Sequence, residues 1–162
     1  MIRRNSRRKG FSLIELLIVV TIILIIAAIA IPNLMRSKIQ ANETAAVGAL
    51  KALQESTILY SNSYGGFPHS LSDLGPAASG SPATSASADL IDSVLAGGVK
   101  SGYRFTYAPG TTDPSGNVLT YSITATPVSP GSTGQRSFFT DQSGTIRNTS
   151  NGTADSTSAP LG

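Results

Sequence analysis

The sequence contains no cysteine and only one histidine among its 162 residues. The lack of cysteine excludes disulfide bonds, thiolate metal sites and a cysteine nucleophile. A site built from several histidines is excluded too, and a Ser-His-Asp triad would have to use His69. No phosphate-binding loop or catalytic constellation is apparent in the chain. We therefore expect a protein that is not an enzyme and that binds no metal and no cofactor.

Charged residues are also scarce, at 13% of the chain, where soluble proteins average about a quarter. The formal net charge is +3, but residues 1–10 hold five of the twelve basic side chains and no acidic one. The other residues carry seven basic and nine acidic side chains, a net charge of −2. The basicity therefore belongs to a short N-terminal segment, and we expect no direct binding of nucleic acid by the rest of the chain.

One long hydrophobic run, Phe11–Ile31, follows the basic segment. As a helix its 21 residues would extend about 30 Å, the thickness of a bilayer core. Positive charge before the run would keep that end in the cytoplasm. Three interpretations are open: a secretory signal cleaved near Ala28–Ala30, a plain membrane anchor, or a precursor cut between Gly10 and Phe11 that keeps its helix.

The segment 9–15 reads Lys-Gly-Phe-Ser-Leu-Ile-Glu and resembles the recognition site of type IV prepilins. The resemblance continues through Pro32 and Ala41-Asn42-Glu43, over residues 7–60 or so. In that family a membrane aspartyl peptidase cuts after the glycine and N-methylates the new terminal phenylalanine. The resemblance implies that residues 1–10 are a cleaved leader, with the cut between Gly10 and Phe11 and methylation of Phe11.

Glu15 is a carboxylate within the hydrophobic run. Such a group costs about 2.5–3.5 kcal/mol at the centre of a membrane helix and is a functional candidate by default. It is either an interfacial residue that reaches the lipid headgroups or the partner of the new α-ammonium group on Phe11 of a neighbouring subunit. Family precedent favours the second interpretation, which makes Phe11 and Glu15 the predicted assembly site.

Residues 11–31 and 32–62 are expected to form two halves of one helix, the first for the membrane and for assembly, the second amphipathic. Pro32 lacks an amide donor and clashes with the preceding turn, and by resemblance it marks a helix break in the filament. Helical spacing puts apolar residues on one side of the second half and Lys51 and Glu55 on the other. The apolar positions are Ala46, Ala49, Leu50, Leu53 and Tyr60.

The rest of the chain predicts a small head. Residues 63–101 are expected to be a loop region with a short helix over 89–95 capped near Asp89. Residues 102–147 alternate like strands over 103–107, 119–125 and 135–140, with a stub at 145–147. Residues 148–162 are expected to be a flexible polar tail. The predicted fold class is α+β, a long N-terminal helix packed on a three- to four-stranded antiparallel sheet.

The roles of some further residues are open to more than one interpretation. Tyr60, Tyr64 and Phe67 either stack between subunits or, as we favour, seal the junction between helix and head. Residues 113–117, Asp-Pro-Ser-Gly-Asn, lack the spacing of a calcium loop and predict a turn. His69, beside Pro68, is expected to be an exposed loop residue.

The resemblance implies a structural subunit of a type IV pilus, a helical homopolymer for adhesion or twitching motility. Its partners would be other copies, a prepilin peptidase and the assembly machinery of the inner membrane. The subunit would sit in a bacterial inner membrane before assembly and in an extracellular filament afterwards. Alternatives are a type II secretion pseudopilin, a minor or DNA-uptake pilin, or a membrane-tethered binding domain that never polymerises.

Overall fold

The computed structural model describes residues 10–161. Its residues fall into two compact units, one ending at Ser37 and one beginning at Lys38. Residues 1–9, most of the expected leader, lie outside the described residues. The two units are described in turn.

The first unit consists largely of the N-terminal part of helix α1, which runs from Leu13 to Tyr64. Leucine, isoleucine and alanine make up most of its sequence, and Pro32 is its strongest helix breaker. Its large apolar side chains from Leu13 to Met35 are exposed by between 41% and 83%. Nothing within the described residues covers them, so this unit needs an apolar environment supplied from outside the chain.

In the second unit, one face of α1 is buried as its periodicity predicts. Ala46, Leu50 and Leu53 are fully buried, and Tyr60 nearly so. Ala49 is half-buried on the same side. Lys51 and Glu55 lie on the exposed side, also as predicted. Within the second unit α1 therefore has one buried and one exposed side.

The sheet has six antiparallel strands in sequential order, where three or four were expected. The four expected strands are present, with ends displaced by a few residues, and the α+β class is confirmed. The two additional strands lie at the edges and are two residues long each, too short for any alternation to show in the sequence. The strands are β1 Val99–Lys100, β2 Tyr103–Pro109, β3 Tyr121–Pro127, β4 Ser137–Asp141, β5 Arg147–Thr149 and β6 Ala159–Pro160.

The last strand corrects the expectation of a loose tail. β6 pairs with β5, and the Leu161 amide donates to the carbonyl of Ile146 at 2.7 Å. Ala154 is buried, and its amide donates at 2.8 Å to the hydroxyl of Ser137. Without this segment the outer edge of β5 would present unpaired backbone groups, which the tail satisfies.

The core lies between the buried face of α1 and one face of the sheet. Alternation along β2 and β3 turns Tyr103, Phe105, Tyr121, Ile123 and Ala125 into it. Tyr103, fully buried, donates its hydroxyl to the carbonyl of Arg136 at 2.7 Å, so its polar end is satisfied. The sheet and the part of α1 in the second unit therefore bury each other's apolar faces.

The connection between α1 and the sheet contains two short helices. A 3-10 helix spans Leu71–Leu74, and α2 spans Ser93–Ala96. The cap of α2 is Asp92, whose carboxylate accepts from the Leu95 amide at 2.9 Å, rather than Asp89 as expected. The helix thus starts later than predicted, and Asp89 instead adopts a left-handed backbone conformation (φ 55°).

A buried carboxylate to which the sequence assigned no structural role, Glu43, ties α1 to the segment before β4. Glu43 is 7% exposed. Its Oε1 accepts from the amides of Gln135 at 2.9 Å and Arg136 at 3.1 Å. Its Oε2 accepts from Nε of Arg136 at 2.8 Å. Burial raises the pKa of Glu43, but these hydrogen bonds and the guanidinium charge outweigh it and hold the pKa below its ordinary value. We call these contacts the Glu43 clamp.

We predict that a chain lacking residues 1–38 remains folded and soluble, because the face of α1 from Ala46 to Tyr60 and the sheet cover each other. The truncated protein should give a mixed α/β circular dichroism spectrum and a cooperative thermal transition. All five tyrosines lie between residues 60 and 121 and the chain has no tryptophan, so near-ultraviolet signals report on this unit. A spectrum without tertiary signal would contradict the prediction.

Candidate processing and assembly site

The expected cleavage position is accessible. Gly10 is exposed, and a Cβ added to it would meet no atom within 4 Å. Phe11 is 88% exposed. The fold of the described residues therefore places no demand for glycine at position 10, so any such demand would come from an enzyme that binds this peptide.

Glu15 lies in the first turn of α1. The backbone amide of Ser12, directly before the helix, donates to Glu15 Oε2 at 2.9 Å. This contact is half of a capping box, in which a glutamate at the third helical position satisfies a free amide at the helix start. The negative charge also complements the positive end of the helix dipole. Glu15 thus has a local role that sequence reasoning missed, although the spacing Ser12-x-x-Glu15 signals it.

Glu15 is the only ionisable side chain between Phe11 and Met35. Its surroundings along the helix are exposed apolar side chains, Leu13, Ile14, Leu16 and Leu17 among them. In water such an arrangement would be unstable, while in lipid or in a dry protein interior the carboxylate would need a cationic partner. A cleavage at Gly10 would create such a cation, four residues away from Glu15.

Pro32 lies inside α1, which continues past it. A proline in this position removes one backbone hydrogen bond and crowds the preceding turn. The helix break predicted here concerns the assembled filament and stays a prediction.

The three aromatic residues at the end of α1 pack within the second unit. Tyr60 is buried in the core, and Tyr64 and Phe67 are half-buried against it. Tyr60 and Tyr64 have ring centroids 4.7 Å apart, and Phe67 meets Tyr121 edge to face at 4.8 Å. The favoured interpretation, in which these rings seal the junction between helix and sheet, is confirmed.

The segment 113–117 is a turn, as predicted. The Asp113 carboxylate accepts from the amides of Ser115 and Asn117 and from the side chain of Asn117, at 2.8 to 2.9 Å. These bonds hold the pKa of Asp113 below its ordinary value. His69 is exposed in a loop, also as predicted.

By length and composition, α1 is the one helix within residues 10–161 that qualifies to cross a membrane. A signal sequence near the N-terminus would pass the same test. The choice between a removed signal and a retained helix therefore depends on the residues that precede and begin the apolar run.

Comparison with protein families defines the class of this segment. Residues 5–31 match the family described as "Prokaryotic N-terminal methylation motif". The match includes both sides of the predicted cut and Glu15. It covers the expected methylation site and the whole apolar run Phe11–Ile31.

Part of this chain is similar to components of type IV pili and of type II secretion systems. The chain is 53% identical to the type IV major pilin protein PilA of Myxococcus xanthus over 51 residues, 32% of this chain and 23% of that protein. It is 44% identical over 75 residues to the type IV wide pilus major component PilA4 of Thermus thermophilus, 44% of this chain and 56% of that protein. It is 34% identical over 58 residues to the type II secretion system core protein G of Escherichia coli, 36% of this chain and 40% of that protein.

In each case the alignment spans well under two thirds of the relative. No solved structure matches the chain significantly. The methylation motif and these similarities confirm the resemblance to type IV pilins that segment 9–15 predicted.

Proposed function

We propose that this chain is the precursor of a structural subunit of a type IV pilus. A prepilin peptidase cuts it between Gly10 and Phe11 and methylates Phe11, and the subunits then polymerise through their N-terminal helices. The observation that carries the proposal is the methylation motif over residues 5–31, joined to a helix whose apolar side chains are exposed around one carboxylate. Such a helix is suited to storage in lipid followed by burial against other copies.

In this proposal the subunit waits in the bacterial inner membrane with its basic end in the cytoplasm. Assembly machinery of that membrane then transfers it into an extracellular filament. The filament is a helical homopolymer in which Glu15 of one subunit pairs with the Phe11 ammonium of a neighbour. The protein acts structurally, in adhesion or twitching-type motility, and carries out no reaction.

A second candidate function is supported by the similarity to type II secretion core protein G. A pseudopilin would use the same N-terminal helix to form a short periplasmic filament. The similarities to the two major pilins have higher identity, 53% and 44% against 34%, so the pilus subunit is the first proposal.

The proposal is tested by shearing the native cells and imaging the released material. The expected result is thin filaments that contain this subunit and that disappear when its gene is deleted. Subunit retained entirely in the cell envelope, with secretion of other proteins impaired by the deletion, would favour the pseudopilin.

We predict that the mature protein begins at Phe11 with a methylated amino group, which intact mass spectrometry of the processed protein measures. Because a Cβ at Gly10 meets nothing in this structure, Gly10→Val should fold and insert normally yet remain uncut. Gly10→Ala, with its smaller side chain, should be cut partially. A mature N-terminus near Ile31 would show that an ordinary signal peptide is removed instead.

A further inference from the structure

A cavity of about 560 Å³ lies beside the end of α1 in the second unit. Three of its wall residues are aromatic, namely Tyr60, Tyr64 and Phe67. Tyr60 and Tyr64 are tilted by 44° to one another, so their rings do not close into a flat stack. The three rings at the junction between helix and sheet thus line a cavity whose volume is typical of sites for small molecules.

Asp73 also lines this cavity. Its carboxylate accepts hydrogen bonds from the amides of His69 and Ser70 at 2.8 and 3.0 Å and from the Ser70 hydroxyl at 2.9 Å. These donors are neutral, so they fix the carboxylate without balancing its charge. The two ion pairs within residues 10–161 join Lys100 to Asp92 and Arg136 to Glu43, and neither includes Asp73.

The negative charge of Asp73 acts on Tyr60, one of the aromatic residues that line the cavity. Burial and, after it, the negative charge of Asp73 raise the pKa of Tyr60. Asn117 also lines the cavity, and its side-chain nitrogen donates to Oδ2 of Asp113 at 2.9 Å. The side-chain oxygen of Asn117 is therefore the atom left to accept a hydrogen bond there. Carboxylate, amide oxygen and aromatic faces all favour positive charge.

We propose that this cavity binds an organic monocation, a guanidinium or alkylammonium group that lies against the rings of Tyr64 and Phe67 with its charge towards Asp73. Cations of this kind are attracted by ring faces, most strongly where water is excluded. A divalent metal is a poorer fit, because no group of three acidic or histidine side chains within residues 10–161 is placed to hold one. A neutral sugar could donate hydroxyl groups to the carboxylate, but it would leave the negative charge unbalanced.

The test uses the full-length protein in a non-ionic detergent at low salt and about pH 8. Methylguanidinium is titrated and its binding followed by saturation-transfer NMR. Methylurea, which is nearly isosteric and uncharged, serves as the matched ligand. We expect millimolar binding of methylguanidinium, with methylurea at least about tenfold weaker because it lacks the charge that Asp73 attracts.

Two variants locate the site. Asp73→Asn should weaken methylguanidinium binding by about tenfold, and Tyr64→Leu by about fivefold through loss of an aromatic face. Glu55→Gln removes an exposed carboxylate from the same helix and should change nothing. Near-ultraviolet circular dichroism establishes that each variant is folded, and Tyr64→Leu tests the site independently of the turn that Asp73 caps.

Equal affinity for methylurea, or unchanged affinity in folded Asp73→Asn or Tyr64→Leu protein, would overturn the proposal. Repeating the methylguanidinium titration at several protein concentrations identifies the source of the natural cation. An apparent affinity that does not depend on protein concentration indicates a free small molecule. An apparent affinity that weakens as protein concentration rises indicates competition by a lysine or arginine of a second copy.

Discussion

Glu15→Ala should abolish filament assembly while the subunit still inserts into the membrane and its second unit still folds. The substitution makes the apolar helix more hydrophobic, so insertion should be equal or better. In the proposed filament, it leaves the Phe11 ammonium of a neighbour without a partner as that group enters a dry interior. Loss of one member of a buried pair costs about 3–5 kcal/mol, and every subunit of the polymer repeats the cost.

Glu15→Ala removes both the charge and the hydrogen bond that Glu15 accepts from the Ser12 amide. A second variant separates the two effects. In Glu15→Gln the side-chain oxygen can still accept from the Ser12 amide, since glutamine serves in capping boxes as glutamate does. Only the charge is lost. Glu15→Gln should therefore assemble nearly as poorly as Glu15→Ala, whereas Glu15→Asp, with a carboxylate one methylene shorter, should be intermediate.

The measurement is the ratio of sheared filament to membrane-held subunit, with total subunit matched between strains. We expect this ratio to fall by roughly a hundredfold or more in Glu15→Ala, as a cost of that size implies. Glu55→Gln removes a carboxylate from the exposed side of the same helix and is the matched control. A normal ratio in Glu15→Gln would show that capping of the helix, and not charge pairing, is the role of Glu15.

The parts of the fold that could be predicted are those with a repeating pattern. The run from Phe11 and the spacing of Ala46, Leu50 and Leu53 specify the helix and its buried face. Alternation specifies β2 and β3, where aromatic and polar residues succeed one another. The motif at the start of the chain points to processing through its resemblance to the recognition site of type IV prepilins, and the described residues give no structural reason for a glycine at position 10.

The parts that could not be predicted depend on contacts between residues far apart in the sequence. β1 and β6 have two residues each and exist because neighbouring strands offer unpaired backbone groups. The tail was expected to be loose because its polar composition gives no sign of the burial of Ala154. The aromatic-walled cavity likewise depends on how Asp73 and Asn117 meet the end of α1, which no spacing encodes.

The Glu43 clamp is the clearest case, since its partners lie more than 90 residues away. An acidic residue is ordinarily assigned to a solvated surface. Yet position 43 extends the buried face, with Ala46 and Leu50 following at helical spacing. A carboxylate on that buried face needs hydrogen-bond donors and a cationic group beside it. The sequence gives no sign of which residues provide them.

The Glu43 clamp also leads to the second prediction with a large effect. Glu43→Ala should lower the free energy of unfolding of the second unit by about 2–4 kcal/mol, because two amides and a guanidinium lose their acceptor together. Glu43→Gln should be less severe at neutral pH. Its oxygen can still serve the amides of Gln135 and Arg136, but its nitrogen would face Nε of Arg136, donor against donor.

The size of this effect should depend on pH in a defined direction. The pKa of Glu43 is lower in the folded protein than its ordinary value near 4.5. The clamp therefore contributes its full stability above about pH 4.5 and loses it as the pH falls through the folded-state pKa. Since glutamine does not titrate, the difference in stability between wild type and Glu43→Gln should be constant from about pH 7 down to pH 5 and shrink below that.

Thermal or chemical unfolding of the full-length protein in detergent, followed by tyrosine signals in the near ultraviolet, measures this difference. The tyrosines all lie in the second unit, so the first unit does not contribute to these signals. Glu55→Gln again serves as the control and should match wild type within about 0.5 kcal/mol, as exposed substitutions do. If Glu43→Gln remained less stable than wild type by the same amount in strong acid, the carboxylate would not be acting through its charge. The Glu43 clamp would then stabilise the second unit through shape and packing alone.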